Sequence, residues 1–482
     1  MAPHPKLRPL VACPGEGEGK SVICLRDPSG LTENVALVPR PVMPLLVLFD
    51  GSRSVTEVQV DFMRLRGELI PRESIESLVG QLDEALLLDS RRFHAHRARV
   101  TAEFLAAPAR PPAHAGGSYP AEQDALRRML DGFFADAEAV TAMVPPLPLP
   151  PAEDGAPDHA HAALGNGAPH DALLGNGAPH GELLATGGPH DAPAAPPRRP
   201  RRPRRSPLAP MAPPRRVSDI RAVVAPHIDL GRGGPVYAQA YQPLLDDIAA
   251  DLYVILGTDH NGEGSLYSLT RKSYETPLGL VQTDEEAVAA VARRGGGPAL
   301  LRGEINHRRE HSIEFQAVFL RYLAARRQDD RAPLILPILC GSFHEFIEGE
   351  ADPATDARIA DLCGAVAEVA RGRRVVYIAA ADLAHVGPQF GDEAPVDEDD
   401  LEQLAANDTA LLDAVVAADP VAFFGRLRAE GDRRRVCGLP PIYTLLRMCG
   451  EAAGEVLAYD QCASGPDDDS CVSIAAMVLR GA

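Results

Sequence analysis

The sequence predicts an α/β core with a mainly parallel sheet, plus a small N-terminal α+β domain. Three observations carry that expectation. Apolar runs near residues 223–225, 252–256, 334–339 and 375–381 are short, continuous and bounded by turn residues, as in strands covered on both faces. Stretches with helical apolar spacing lie between them. Three of the runs also stop at a histidine or an acid: Val223-Val-Ala-Pro-His227-Ile-Asp229, Leu252-Tyr-Val-Ile-Leu-Gly-Thr-Asp259-His260, and Val375-Val-Tyr-Ile-Ala-Ala-Ala-Asp382-Leu-Ala-His385. Ligands of such sheets bind at the carboxyl ends of the strands, so His227, His260, Asp382 and His385 are expected to converge. A fourth segment, Cys437-Gly438-Leu439-Pro440-Pro441, brings a thiol to the start of a helix.

At 482 residues the chain has room for two or three domains. Its net charge of -19 argues against a nucleic-acid protein, because a phosphate-binding surface needs local positive potential. The eight cysteines form no CxxC pair, which points to reduced thiols rather than a disulfide framework or zinc knuckle. The N-terminus carries no apolar signal core, and no run of 18 apolar residues occurs. A cytoplasmic protein without a membrane span is the expectation.

Residues 1–100 read as a domain of their own. A strand is expected over 21–25 and a helix over 41–49. A turn follows at Asp50-Gly51-Ser52-Arg53-Ser54, where Ser54 can cap a helix from Val55. Ser74 is expected to cap the next helix, 75–88. Residues 101–144 begin the core, with an amphipathic helix over 122–135 that presents Leu126, Met129, Leu130 and Phe133. Residues 145–216 shift to Pro, Gly, Ala, His and Arg, with a ten-residue repeat (Leu164-Gly-Asn-Gly-Ala-Pro-His170, Leu174-Gly-Asn-Gly-Ala-Pro-His180) and an Arg/Pro run at 198–205. So few large apolar side chains cannot offset the entropy of ordering, and this insert is expected to be disordered.

The core resumes over 217–482. The glycines at 231, 233 and 234 suggest a tight turn into a helix over 236–249. Residues 274–279 read as a hairpin, Thr283 as the cap of a helix, and 310–314 as the start of another with Phe315, Val318, Phe319 and Tyr322 inward. A helix over 399–416 and a closing strand over 472–479 complete the chain. As a ligand set, two imidazoles and one thiolate suit Cu(I), Zn(II) or Fe(II) and leave a coordination position open. His385 is then a candidate acid/base, with Asp382 as the carboxylate that orients it.

Two resemblances add to this reading. The Asp50-Gly-Ser-Arg-Ser54 turn before Val55-Thr-Glu57-Val58 resembles the winged-helix, peptide-binding domain of the PqqD type, which implies a module that docks a peptide or partner protein. The motifs His114-Ala-Gly-x-Ser-Tyr119, Ala225-Pro-His227, Ile255-Leu-Gly257-x-x-His260, Tyr274-x-Thr276-Pro-Leu-Gly279, Glu310-His-Ser-Ile-Glu314, Asp382-x-x-His385 and Val436-Cys-Gly438-x-x-Pro441 occur in the order seen in the Memo family. Bacterial and archaeal members are called AmmeMemoRadiSam system protein B.

The Memo resemblance implies a fold similar to the class III extradiol (LigB-type) dioxygenases and a metal pocket. In it His227, His260 and Cys437 match the metal ligands, while Asp382 and His385 match further polar residues. Iron or copper is the expected metal, with zinc as an option. It also implies association with a radical SAM protein and an AMMECR1-like protein, and a small-molecule or peptide substrate. The sequence departs from the family where Asp259 precedes His260, so that Asp259 either tunes the site or faces solvent. It departs again at Ile228-Asp229-Leu230, where an aromatic is usual. Glu314, His311 and His114 either reach the pocket or only hold their own elements. A cysteine in place of the carboxylate of extradiol enzymes weakens a ring-cleaving reading. A metal-dependent oxidoreductase-like pocket leads, with a non-catalytic binding scaffold as its alternative.

Overall fold

The computed structural model describes residues 4–17, 20–143, 181–182, 219–247, 249–262, 264–329 and 331–481. The chain divides into two units, one built on Met1–Ala102 and the other on Glu103–Pro146 with Pro200–Ala482. Of the insert expected at 145–216, only Gly181–Glu182 is described, paired with Arg40 and Pro39. Its remaining repeats, histidines and arginines lie outside the described residues.

The first unit opens with an antiparallel meander of Val11–Gly17, Lys20–Arg26 and Val35–Arg40. Only the middle strand is legible in sequence. Pro14, Gly15 and Pro39 are poor strand formers, and partner strands override their propensity. Ser54 does cap Val55–Arg66, in a capping box with Glu57. Ser74 does not cap the next helix. Arg72–Glu84 starts at Pro71, whose φ of -57° is already helical, and Ser74 falls inside the first turn. A further helix, Arg91–Ala106, has no counterpart in the sequence reading. Leu45, Phe49, Val58, Phe62, Leu78 and Leu82 fill this unit's core.

The second unit is a mixed sheet with a parallel centre. Ile220–Ala225, Val375–Ala380, Leu252–Thr258 and Leu334–Cys340 pair side by side in that order, all parallel. Gly279–Thr283 extends the parallel set, and Ser470–Gly481 closes the opposite side antiparallel to Ile220–Ala225. Successive residues face opposite sides: Ala222, Val224, Leu252, Val254 and Leu256 pack into one buried cluster, and Val223, Ala225, Tyr253 and Ile255 into another. Burial on both faces explains why the strands read as unbroken apolar runs. The long strand Ala452–Ser464 escapes that signal, because it is mostly half-buried and is held by pairing with Ser470–Gly481.

Three helix boundaries are corrected. Leu230–Leu245 begins at the glycines rather than after them, capped by Asp229. Gly233 and Gly234 serve close packing: a Cβ would lie 2.5 Å from Ile228 Cγ2 and 2.2 Å from the Phe133 ring, respectively. Asp284, not Thr283, caps Glu285–Arg294, because Thr283 still belongs to the preceding strand. Gln123–Met143 runs longer than expected and buries Leu126, Leu130 and Phe134 fully, leaving Met129 and Phe133 at the margin. Among the described residues, no helix is long and apolar enough to cross a membrane.

Candidate metal centre

Neighbouring strands bring the chemistry together. Ile220–Ala225, Val375–Ala380 and Leu252–Thr258 are adjacent and parallel, so the segments carrying His227, Asp382 and His260 leave the sheet at the same end. The turn before Leu439–Cys449 is tied to them: Gly438 N donates to Asp382 O at 3.0 Å, and Thr258 Oγ1 donates to Cys437 O at 3.0 Å. A Cβ on Gly438 would meet Asp382 O at 2.4 Å, so only glycine permits this approach. Helix His311–Arg326 points its start at the same place, with Ser312 Oγ donating to Thr258 O at 3.0 Å.

His227 stands at the centre. It belongs to two groups whose ligand atoms lie within 4.8 Å of one another, one with His260 and His311 and one with Asp382 and Cys437. The trio predicted from sequence, His227, His260 and Cys437, is therefore split between two groups that share His227. His227 is buried, and its Nδ1 lies 2.9 Å from Ala380 O. That bond makes Nδ1 the protonated nitrogen and turns the Nε2 lone pair toward the Cys437 thiol. Nε2 lies 3.1 Å from Cys437 Sγ and 3.7 Å from Asp382 Oδ2.

Asp382 is also buried, and its Oδ1 accepts from His227 N at 2.7 Å and Ile228 N at 3.1 Å. Its hydrogen bonds go to the His227 and Ile228 backbone and not to His385, whose protonated form it favours through its charge. His385 Nδ1 instead faces Leu383 O at 3.2 Å, and its ring stands edge-on to Phe390.

Glu310 is the residue to which sequence reasoning assigned no role. Its carboxylate accepts from His260 N at 3.1 Å and stands 3.1 Å from His260 Nδ1. It also caps the helix, accepting from His311 N and Ser312 N. The signal available was its place immediately before His311 at a helix start, where Ser, Thr, Asp or Asn is the common cap.

The other candidates stand farther back. Glu314 is fully buried against Arg110 and accepts from Ala113 N, His114 N and Tyr119. His114 Nε2 is 2.7 Å from Arg309 O, with its ring beside His311 and Phe315. Asp259 does not face solvent. It is 8% exposed and accepts from Asn306 at 2.8 Å through Oδ2, while its Oδ1 is buried with no hydrogen-bond partner.

Electrostatics follow from this burial. Desolvation, helped by the His260 charge, pushes His227 down to about 3, so it is held neutral. Burial lowers His311 and His385 as well. His260 goes the other way: burial pulls it down, but Glu310, with Asp382 and Asp259, pushes it up by more. Burial and the Asp382 charge raise the Cys437 thiol well above its ordinary range. Burial pushes Asp259 up to about 6.

Two imidazoles held neutral by burial, a third that Glu310 favours in its protonated form, a carboxylate and a thiol that only a positive charge would ionise form a donor set that fits a borderline or soft cation. All eight cysteines are unpaired, and the other seven lie outside these groups.

Comparison with known proteins agrees with this architecture. A family described as Memo-like protein matches residues 206–478. A MEMO1 family protein of Methanococcoides burtonii is 32% identical over 265 residues, covering 54% of this chain and 87% of that protein. One from Thermococcus onnurineus is 29% identical over 276 residues, covering 87% of its own length. A MEMO1 family protein of Aquifex aeolicus is 24% identical over 459 residues, covering 94% of this chain and 95% of that protein, so this similarity extends through the N-terminal unit. With the family match spanning more than half of the sequence, the chain belongs to the Memo-like family.

Proposed function

We propose that the pocket binds iron or copper, with zinc as the redox-inert alternative, and works as a metal-dependent, dioxygenase-like oxidoreductase centre in an AmmeMemoRadiSam-type system. The single observation that carries this reading is the approach of Cys437 Sγ to His227 Nε2 at 3.1 Å, where burial holds His227 neutral. His227, His260 and Cys437 are the proposed ligands, with Asp382 beside them. A bound redox cation supplies Lewis acidity and electron exchange to oxygen or to a small organic molecule. Around it, Ala380 O holds His227 in one tautomer, and Glu310 does the same for His260. His385, whose Nδ1 is engaged by Leu383 O, is proposed to move a proton at Nε2. Asp382 holds the backbone of His227 in place.

A second reading is a binding scaffold. It draws on the N-terminal unit, whose outer strand Val11–Gly17 and PqqD-like turn suit a docked peptide, with a radical SAM or AMMECR1-like protein as partner. The two readings predict different results in one experiment. Untagged protein is analysed for metal as wild type, His260→Ala, Cys437→Ala and a deletion of residues 146–216. Near-stoichiometric iron, copper or zinc in wild type and deletion, lost in both point variants, supports the metal centre. Equal metal in all four rejects it. If all four are metal-free and a peptide partner is still retained, the scaffold reading takes its place.

A further inference from the structure

Resting on the metal reading above, we infer that His311 is a third imidazole donor, aimed by the Glu310 carboxylate it shares with His260, so that the cation sits on a three-histidine face with Cys437 at its rim. The rings of His227, His260 and His311 have centroids 4.9, 5.3 and 4.8 Å apart. Imidazoles bound at about 2.0–2.1 Å to one cation in tetrahedral geometry place their ring centres roughly 5 Å apart. The three rings therefore have the spacing of a shared ligand set before any cation is considered. The His260 and His311 side chains are each about one-third exposed, so a solute can reach this face, whereas His227 behind them is buried.

Glu310 accounts for the arrangement. A single carboxylate, 2% exposed, lies 3.1 Å from His260 Nδ1 and 3.1 Å from His311 Nδ1. The hydrogen bond that Glu310 accepts from His260 Nδ1 turns Nε2 of that ring to a ligand, as Ala380 O does for His227, and the 3.1 Å proximity of the same carboxylate to His311 Nδ1 favours the same orientation there. The carboxylate cannot swing away, because His260 N, His311 N and Ser312 N all donate to it. Glu310 is thus a positioning residue: it acts on the cation only through the two rings. A glutamate that merely capped a helix would have no reason to stand against the His260 ring, 50 positions away in sequence.

The probe is inorganic Cu(II), added to untagged full-length protein stripped with chelator, with affinity read by equilibrium dialysis and coordinated imidazoles counted by pulsed EPR. The signal that His227→Ala removes defines the pocket and separates it from copper held by histidines elsewhere in the chain. In that signal the wild type should show three imidazoles. His311→Ala and the more conservative His311→Asn should show two, and should bind Cu(II) roughly 10–100-fold more weakly. Glu310→Gln should weaken binding over the same range and alter the coupling to the uncoordinated ring nitrogens, which a purely structural role would not do. Cys437→Ala, which removes a proposed ligand, should bind Cu(II) more weakly, but the fraction that still binds should keep all three imidazoles. If both His311 variants bind as tightly as wild type with an unchanged imidazole count, the inference is wrong and the metal reading survives. If wild type shows no signal that depends on His227, both fall together.

Discussion

Glu310 and Glu314 stand one helical turn apart at the start of the same helix, and both are buried. Glu314 is closed: Arg110, two backbone N–H groups and the Tyr119 hydroxyl take up its carboxylate, and the Arg110 guanidinium holds it ionised against the effect of burial. Glu310 is open. Its charge is met by backbone N–H groups and by two imidazoles that are each about one-third exposed. Burial acts on both alike, so what separates a fold-holding carboxylate from one poised at a site is the partner. A guanidinium has no further valence to offer, whereas an imidazole passes the carboxylate's influence on to whatever binds its second nitrogen.

Breaking the closed member should cost the most stability. Arg110→Met leaves Glu314 charged and unpaired in the interior and should lower unfolding free energy by about 3–5 kcal/mol, measured by urea denaturation. A loss under about 1 kcal/mol would mean that Glu314 simply takes up a proton. The open side is sharpened by Asp259, which lies beside His260 and whose carboxyl burial raises to about 6. A folded-state pKa above the unfolded value means that this group's ionisation opposes folding as pH rises from about 4 through 6. With chelator present, Asp259→Asn should match wild type below pH 4 and exceed it by up to about 3 kcal/mol above pH 7. A gap that shrinks as pH rises would refute the assignment.

Smaller effects test how the helix start is seated. Gly257→Ala puts a Cβ 2.6 Å from both Ile313 Cγ1 and Ser312 Oγ. It should cost about 2 kcal/mol in a thermal melt and weaken metal retention along with stability, because the helix start has to move. Tyr119→Phe removes one hydrogen bond from Glu314 and should cost about 1 kcal/mol with metal content unchanged. If it releases metal instead, the two carboxylates are coupled and the contrast between them is lost.

Much of the core and several pocket residues were legible in the sequence. The four central strands declare themselves because burial on both faces demands unbroken apolar runs, and His227, His260 and Asp382 stand out because each ends such a run. The meander of the first unit and the strand Ala452–Ser464 do not, because their stability comes from pairing rather than from their own composition. The glycines at 233 and 234 suggest a turn in sequence but lie inside the helix. Their function is to let the side chains of Ile228 and Phe133 approach the helix, and that depends on residues distant in sequence.

The sequence by itself determined the α/β architecture, the carboxyl-end position of the candidate site and the kinds of donor atom it offers, because periodicity and side-chain chemistry are local properties. Only the tertiary structure decided which donors stand together. Strand order places Val375–Ala380 between Ile220–Ala225 and Leu252–Thr258, and the helix start at Glu310 brings His311 beside His260. Such neighbourhoods arise from sheet topology and from hydrogen bonds between residues 50 to 155 positions apart, such as Glu310 with His260 and Asp382 with His227. A one-dimensional pattern records the residues but not the partner each one meets.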